Sequence, residues 1–316
     1  MGAGASSQLV RELERPLDAS DVTSAEEAKA EVQRLRKLFA QEAYKDKIAT
    51  AAMGALVGNA SCMPTEWFYL DENLKKLVGD EDILFFKTPS CVFFSGGERS
   101  DEEYAKLAEL QPNYGLTNEQ SSFDGRYQLG DLCPTGEVLF DLLPLVSALP
   151  HDAELDGMVI AKMYYDWQLQ YTGRLNHSQQ DFAKNMSGDL EFAKKTLGKD
   201  DATEEEIQAE ATKKQTTFPF MGADNTMAEC YVRVILAMLR YGSDPAGPSD
   251  LFFKNLETMV RALQNCAESK AVLTAIFMSR VLFGVLAGQS TDDAFNAACD
   301  AHKDNAMITA AVDFVK

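Results

Sequence analysis

Glu66 follows a run of small residues that is typical of a closely packed helix. Gly54, Ala55 and Gly58 leave room for a neighbouring backbone to approach. Pro64 ends the helix, because proline lacks the N–H that a helix interior requires. Glu66 is therefore predicted to lie at the mouth of a helical bundle. Taken alone, the segment also fits a buried glycine-rich helix followed by a solvated glutamate.

Other residue types with catalytic potential do not form recognisable constellations. None of the histidines lies in a serine, cysteine or metal-ligand motif, which predicts surface or core roles for all three: His151, His177 and His302. Gly96 and Gly97 follow no predicted strand and precede no Lys-Ser/Thr pair, so a phosphate-binding loop is not predicted. Cys62 and Cys266 stand beside small residues, as buried cysteines usually do.

Four more segments carry polar residues next to predicted helices. They are LCPTGEVL at 132–139, YTGRLNH at 171–177, GADN at 222–225 followed by Arg233, and ALQNCAE at 262–268, which leads into a helix ending near Gly284 and Gly288. Together with residues 54–67, these segments resemble in order and separation the motifs of the ADP-ribosylglycohydrolase superfamily. The resemblance spans about 46–304. It is strongest to the J-crystallin and selenoprotein J branch, which carries a Thr-Gln-Asn-Asn pattern where this chain has residues 262–268.

The resemblance implies an all-α, ADP-ribosylglycohydrolase-like orthogonal helical bundle. It also implies hydrolysis of an ADP-ribose linkage with the help of two magnesium ions, which prefer near-octahedral oxygen ligands. Glu66 would be the catalytic residue. The implied metal ligands are Glu66, Glu137 and Glu268, while Asn59 and Asn265 stand at positions where catalytic members carry acidic ligands. Asp224 and Asn225 would bind the substrate.

The presence of Asn59 and Asn265 in place of acidic ligands leaves two functions open. The chain could hydrolyse or bind ADP-ribose conjugates, with Glu66 and the remaining carboxylates holding one magnesium ion at most. Alternatively, the metal is lost and the protein is a non-catalytic, crystallin-like or ligand-binding protein that reuses the fold. A two-ion centre is not expected in either case, because amides supply no charge at the former ligand positions. The implied partner is ADP-ribose or a related small molecule.

Composition excludes several other classes of protein. The 316 residues carry a net charge of -19, which argues against nucleic-acid binding. The six cysteines form no CxxC pair and no apolar signal region opens the chain, which favours a cytoplasmic setting. The longest apolar run, at 271–287, is interrupted by Ser279 and Arg280. It is therefore predicted to be a buried core helix and not a transmembrane segment.

The first six residues, MGAGAS, fit the N-myristoylation pattern with Gly2 as the acylated residue. A flexible tail of small residues over 1–22 is the alternative. A single myristoyl group gives only weak, reversible membrane contact, and the following segment offers neither a cysteine for a second acyl chain nor a dense basic cluster. Residues 23–316 are predicted to form one helical domain.

Hydrophobic spacing and capping signals predict helices along most of the chain and few or no strands. A Ser24–Glu27 capping box opens a helix through about residue 43, which is expected to dock on the core through its apolar residues Val32, Leu35, Leu38 and Phe39. Residues 78–132 are predicted to be irregular, and 187–215 to be a solvated insertion. The helices at 54–60 and 271–288 are expected at the centre of the bundle. Further helices are predicted at about 46–61, 135–149, 153–171, 224–241, 249–264, 267–287 and 290–303.

Overall fold

The computed structural model describes residues 25–62, 132–171, 175–226, 229–266 and 269–315, and within these ranges the chain is all-α. The described part contains no strand beyond one isolated parallel bridge between Ala223 and Gln264. Its helices are α1 (Ala25–Cys62), α2 (Pro134–Ser147), α3 (Gly157–Gln168), α4 (His177–Ser187), α5 (Leu190–Leu197), α6 (Glu204–Thr216), α7 (Cys230–Tyr241), α8 (Asp250–Leu263), α9 (Lys270–Leu286), α10 (Thr291–Ala301) and α11 (Ala306–Val315).

Most helices lie where periodicity and capping predicted them. The predictions at 135–149, 153–171, 249–264, 267–287 and 290–303 correspond to α2, α3, α8, α9 and α10. Side-chain caps start several of them: Asp156 accepts from the N–H groups of Met158 and Val159, and Ser249 from that of Phe252. The predicted helix at 224–241 begins only at Cys230, because residues 222–225 form a turn that pairs with Gln264.

The first described helix differs from its prediction. Two helices were expected, at 24–43 and 46–61, whereas α1 runs unbroken through 38 residues. The intervening sequence, Ala43 to Asp46, contains neither glycine nor proline, so nothing in it stops a helix. Helices α4 and α11 were not predicted. The insertion forms two helices, α5 and α6.

The core is built around α7 and α8. Helix α7 packs against α1, α2, α8 and α9, and α8 packs in addition against α3 and α4. Leu236 of α7 and Leu256 and Met259 of α8 are completely buried between these layers. A smaller apolar cluster joins α9 to α10 and α11 through Phe277, Ala294 and neighbouring residues. The all-α architecture therefore arises from helix-on-helix burial of apolar stripes.

The prediction for the centre of the bundle is correct for α9 and wrong for the glycine-rich part of α1. Helix α9 is buried through Ala271, Ala275 and Phe283. Gly54 and Gly58 of α1, in contrast, are exposed, and a methyl group added to either would meet no atom within 4 Å. Helix α1 packs through its opposite face, where its bulkier core residues Tyr44 and Ile48 lie.

The expected docking of the N-terminal part of α1 on the core is wrong. Val32 and Phe39 are 47% and 49% exposed. Among residues 29–43, no side chain that the structure describes is buried, and burial begins at Tyr44. Val32 and Phe39 share one side of the helix, because they are seven residues apart, and that side is exposed.

The insertion between α4 and α7 is held together mainly by its own contacts. Asp189 caps α5, and Thr203 forms a capping box with Glu206 at the start of α6. Gly188 and Gly198 end α4 and α5 in the left-handed conformation that glycine adopts without strain. Helices α5 and α6 pack against each other, and α4 contacts both.

No helix among the described residues is long and apolar enough to cross a membrane. This includes α9, which contains the longest apolar run and is instead packed against α7, α8 and α10.

Candidate functional site

Asn59, one of the former ligand positions, joins the end of α1 to the start of α2. Its Oδ1 accepts a hydrogen bond from the backbone N–H of Cys133 at 2.9 Å, and its amide nitrogen contacts the Cys133 thiol. Gly136 lies against the same side chain, since an added Cβ would come within 2.0 Å of Asn59 Oδ1. The motif segments around residues 59 and 133–137 therefore meet in space.

Glu137, the described member of the predicted metal set, lies in the first turn of α2 and is half-buried. Its carboxylate accepts a hydrogen bond from the hydroxyl of Tyr171. The Tyr171 ring stacks on that of Trp167, with 4.8 Å between centroids. Trp167 in turn donates to Asp141 across 3.4 Å. Glu137 is thus anchored by an aromatic pair at the end of α3, which the sequence patterns did not indicate.

Asn225 lies where three other segments converge. Its Oδ1 accepts from Ser178 Oγ at 2.6 Å and from Gln264 Nε2 at 3.2 Å. The backbone reinforces the contact, since the N–H of Ala223 donates to the carbonyl of Leu263 at 2.7 Å. We call Ser178, Asn225 and Gln264 the amide junction. It links the start of α4, the turn before α7 and the end of α8.

The turn before α7 approaches the end of α8 so closely that a side chain would not fit. A Cβ added at Gly222 would lie 2.4 Å from the carbonyl oxygen of Arg261 and 2.8 Å from the Cβ of Asn265. The N–H of Asn265 also donates to the carbonyl of Ala223 at 2.9 Å. Glycine at position 222 is therefore required for this approach.

A buried ion pair lies at the start of α7, next to the amide junction. Glu229 and Arg233 are 4% and 1% exposed, and their carboxylate and guanidinium groups are 3.2 Å apart. The side-chain amide of Asn176 also donates to Glu229, and the Arg233 guanidinium lies 4.9 Å from the centre of the Tyr164 ring. Burial raises the pKa of the Glu229 carboxyl and that of the Tyr164 hydroxyl, although Arg233 opposes both shifts.

Asn265, the other former ligand position, contacts a cationic side chain. Arg261 donates to Asn265 Oδ1 at 2.9 Å and to Ser269 Oγ at 2.7 Å. The same guanidinium pairs with Glu257 at 2.7 Å. A positive charge therefore lies beside Asn265. Asp224 is exposed at the neighbouring turn.

Three predicted residues lie outside the described ranges: Gly2, Glu66 and Glu268. Within the described ranges, no group of three histidine, cysteine, aspartate or glutamate residues is arranged to hold a metal ion. The histidines there form no cluster either: His177 is exposed, and His302 packs on the Phe277 ring at 6.0 Å. Cys133, Cys230 and Cys266 are buried and form no disulfide with any described residue.

Sequence reasoning singled out Arg233 but missed Glu229, its partner. The signal was present, since an acidic residue four positions before an arginine on an apolar helix predicts a same-face ion pair. Comparison of the chain with known protein families, curated proteins and solved structures gives no match.

Proposed function

We propose that this chain is an ADP-ribosylglycohydrolase-like protein of the J-crystallin and selenoprotein J type that binds ADP-ribose or a related small molecule. The observation that carries the proposal is the amide junction. Asn225, a proposed substrate-binding residue, contacts Gln264 of a second segment that resembles the family motifs, and Ser178, which directly follows a third such segment. Segments that line one cleft in an orthogonal helical bundle are expected to meet in this way.

Asn225 is the partly exposed member of the junction, since Ser178 and Gln264 are buried, so its side chain would be the one to meet a neutral, polar ligand portion such as a ribose. Amide and hydroxyl groups supply both donors and acceptors, which sugar hydroxyls require. Arg261 adds a positive charge next to Asn265, on the neighbouring turn. Because Glu257 pairs with the same guanidinium, a phosphate of ADP-ribose would compete with that carboxylate for Arg261, in a chain whose net charge is -19.

The described residues do not fit a centre with two magnesium ions. Asn59 Oδ1 and Asn265 Oδ1 each accept a hydrogen bond from an N–H donor, and the donor at Asn265 is itself a cation. Arg261, which also pairs with Glu257, thus engages the Asn265 oxygen that a second divalent ion would need as a ligand. A single ion held by Glu66, Glu137 and Glu268 stays part of the proposal, and no reaction step is derived through it.

A non-catalytic role is the second candidate, and a specific observation favours it. Each described position of the former metal site is engaged by the protein itself: Asn59 by Cys133, Glu137 by Tyr171 and Asn265 by Arg261. Such contacts stabilise helix ends without any ligand. A protein that reuses this fold for its stability alone would be expected to keep such contacts.

Calorimetric titration with ADP-ribose, with and without magnesium, tests the proposal. We expect binding by the unmodified chain and at least a tenfold weaker affinity in Asn225→Leu, which removes the junction acceptor. Gln208→Leu on the exposed face of α6 is the control and should bind normally. Circular dichroism must show that both variants keep their helical content.

The titration, together with an assay for hydrolysis of an ADP-ribosylated peptide, separates the two candidate functions. If ADP-ribose binds and an ADP-ribosylated peptide is hydrolysed only with magnesium, the catalytic form of the proposal holds. Binding without hydrolysis selects the non-catalytic form. An absence of binding under both conditions refutes the ligand proposal.

A further inference from the structure

The N-terminal part of α1 exposes apolar residues that no described part of the protein covers. Residues 29–40, which we call the arm, include Val32 and Phe39 at about half exposure. The two are seven residues apart, which is about two helical turns, so they share one side of the helix. Helices of this length owe most of their stability to packing of an apolar side. The exposed stripe on the arm therefore indicates a binding partner.

The arm is basic, although the chain as a whole is strongly acidic. It contains four basic residues and one acidic residue, against a net charge of -19 for the chain. Lys29, Arg36 and Lys37 are exposed and form no ion pair with any residue that the structure describes. A cationic segment of this kind favours an anionic partner.

The basic and apolar residues follow the same spacing. Lys29 precedes Val32 by three positions, and Arg36 precedes Phe39 by three positions. Residues three apart are neighbours on a helix surface, so each exposed apolar side chain has a basic side chain along the same border. Helices that lie in the interface of an anionic membrane have this arrangement: apolar residues enter the acyl boundary and basic residues contact the headgroups.

We propose that the arm docks on a surface of anionic phospholipids. The apolar stripe would be inserted below the headgroups, with Lys29, Arg36 and Lys37 paired to headgroup phosphates or carboxylates. The proposal does not depend on acylation of Gly2, and it is independent of ligand binding at the amide junction.

The acidic body does not prevent this contact. Lys29 precedes the first buried residue, Tyr44, by 15 positions, which corresponds to about 22 Å along the helix axis. Electrostatic interactions are screened over about 8 Å at physiological ionic strength. The basic end of the arm therefore lies beyond most of the repulsion from the described part of the body, which begins at Tyr44, although Glu26 and Glu27 lie just before the arm in the chain.

A second copy of the chain fits the arm less well. A coiled-coil pair requires the apolar seam to continue over several heptads. Here the position seven residues after Phe39 is Asp46, which is exposed. A parallel pair would also bring two basic arms together.

Sedimentation with phospholipid vesicles tests the proposal on the full, unacylated chain. We expect binding to vesicles of equal parts phosphatidylcholine and phosphatidylserine, and no binding to phosphatidylcholine alone. The double variant Arg36→Gln/Lys37→Gln should bind about thirtyfold more weakly, and Phe39→Ser about tenfold more weakly. The control Lys194→Gln/Lys195→Gln makes the same charge change on exposed residues of α5 and should bind like the unmodified chain.

Three results would overturn the proposal. The first is a lack of binding to phosphatidylserine vesicles, or an equal loss of binding in the α5 control. The second is a dimer, detected by light scattering, that dissociates in Phe39→Ser, because the partner would then be a second copy. The third is a fall in the melting temperature of Phe39→Ser, because the stripe would then be covered by the chain itself.

Discussion

The amide junction and the contact between Asn59 and Gly136 both use one asparagine to join helix ends, but they differ in what surrounds the amide. The junction lies beside the buried Glu229–Arg233 pair. Asn59 lies on a helix whose glycine-bearing side is open. The difference shows that similar motif residues lie in a buried centre in one place and in a one-sided contact in another, depending on the buried charge and the apolar bulk nearby.

The largest expected effect comes from breaking the ion pair beside the junction. Arg233→Leu leaves Glu229 buried without its counter-charge and should lower the free energy of unfolding by about 3–5 kcal/mol. Urea denaturation measures this loss. The double variant Glu229→Leu/Arg233→Leu should regain a large part of it, because no unpaired charge remains. If the single and double variants are equally unstable, the loss of stability does not come from leaving Glu229 without its counter-charge.

A second effect concerns Cys230, which follows Glu229 directly. Burial raises the pKa of the Cys230 thiol from 9.0 to about 11. The unfolded chain therefore loses this proton at a lower pH than the folded protein does. The thiol makes no pH-dependent contribution well below pH 9, and stability should fall as the pH rises from 9 to 11, by at most about 2–3 kcal/mol.

Denaturation curves of the unmodified chain and of Cys230→Ala across this pH range isolate the effect. Other groups titrate there too, but they do so in both proteins, so the difference between the curves reports the thiol. A difference that does not change with pH would show that Cys230 is more hydrated than the structure indicates.

A smaller loss is expected at the Asn59 contact. In Gly136→Ala the new methyl group would displace the Asn59 side chain and break its hydrogen bond to Cys133. The expected cost is about 1–2 kcal/mol. Combining Gly136→Ala with Asn59→Ala should cost less than the sum of the two changes, because either one removes the same bond. Strict additivity in urea denaturation would contradict the contact.

The smallest effect, with the opposite sign, is expected on the open side of α1. Gly54→Ala meets no neighbouring atom and should stabilise the protein by about 0.5–1 kcal/mol through its higher helix propensity. Gly58→Ala is the matched variant and should behave in the same way. The melting temperature of each variant shows whether the substitution stabilises or destabilises the protein. A loss of stability in both would mean that this side of α1 is covered.

The helical fold was largely predictable, because periodicity and caps act within a few residues. Ser249 and Asp250, for example, define the start of α8 without any tertiary information. The burial of each helix was less predictable. Gly54 and Gly58 permit a close approach of another helix but do not drive one. Burial of Leu256 and Met259, in contrast, lowers the free energy of the folded protein, because it removes apolar surface from water.

The candidate site was predictable in part, for a similar reason. Residues of different motif segments meet in the structure, as Asn59 does with Cys133 and Asn225 with Gln264, but the sequence patterns named neither contact. Tyr171 as the partner of Glu137 and Ser178 as a partner of Asn225 could not be chosen from the sequence, because long-range hydrogen bonds leave no periodic signal. Whether Glu137 shares a site with Glu66 and Glu268 stays a prediction.

The caps on α4, α5 and α6 have a consequence for the order in which the chain folds. Each of these helices starts at a side-chain cap from the residue just before it, and the contacts between α5 and α6 span few residues. Local contacts form quickly because little loop closure is required. Residues 177–216 should therefore be a cooperative unit of their own, gaining amide protection early during refolding, before α7 and α8 have enclosed the core.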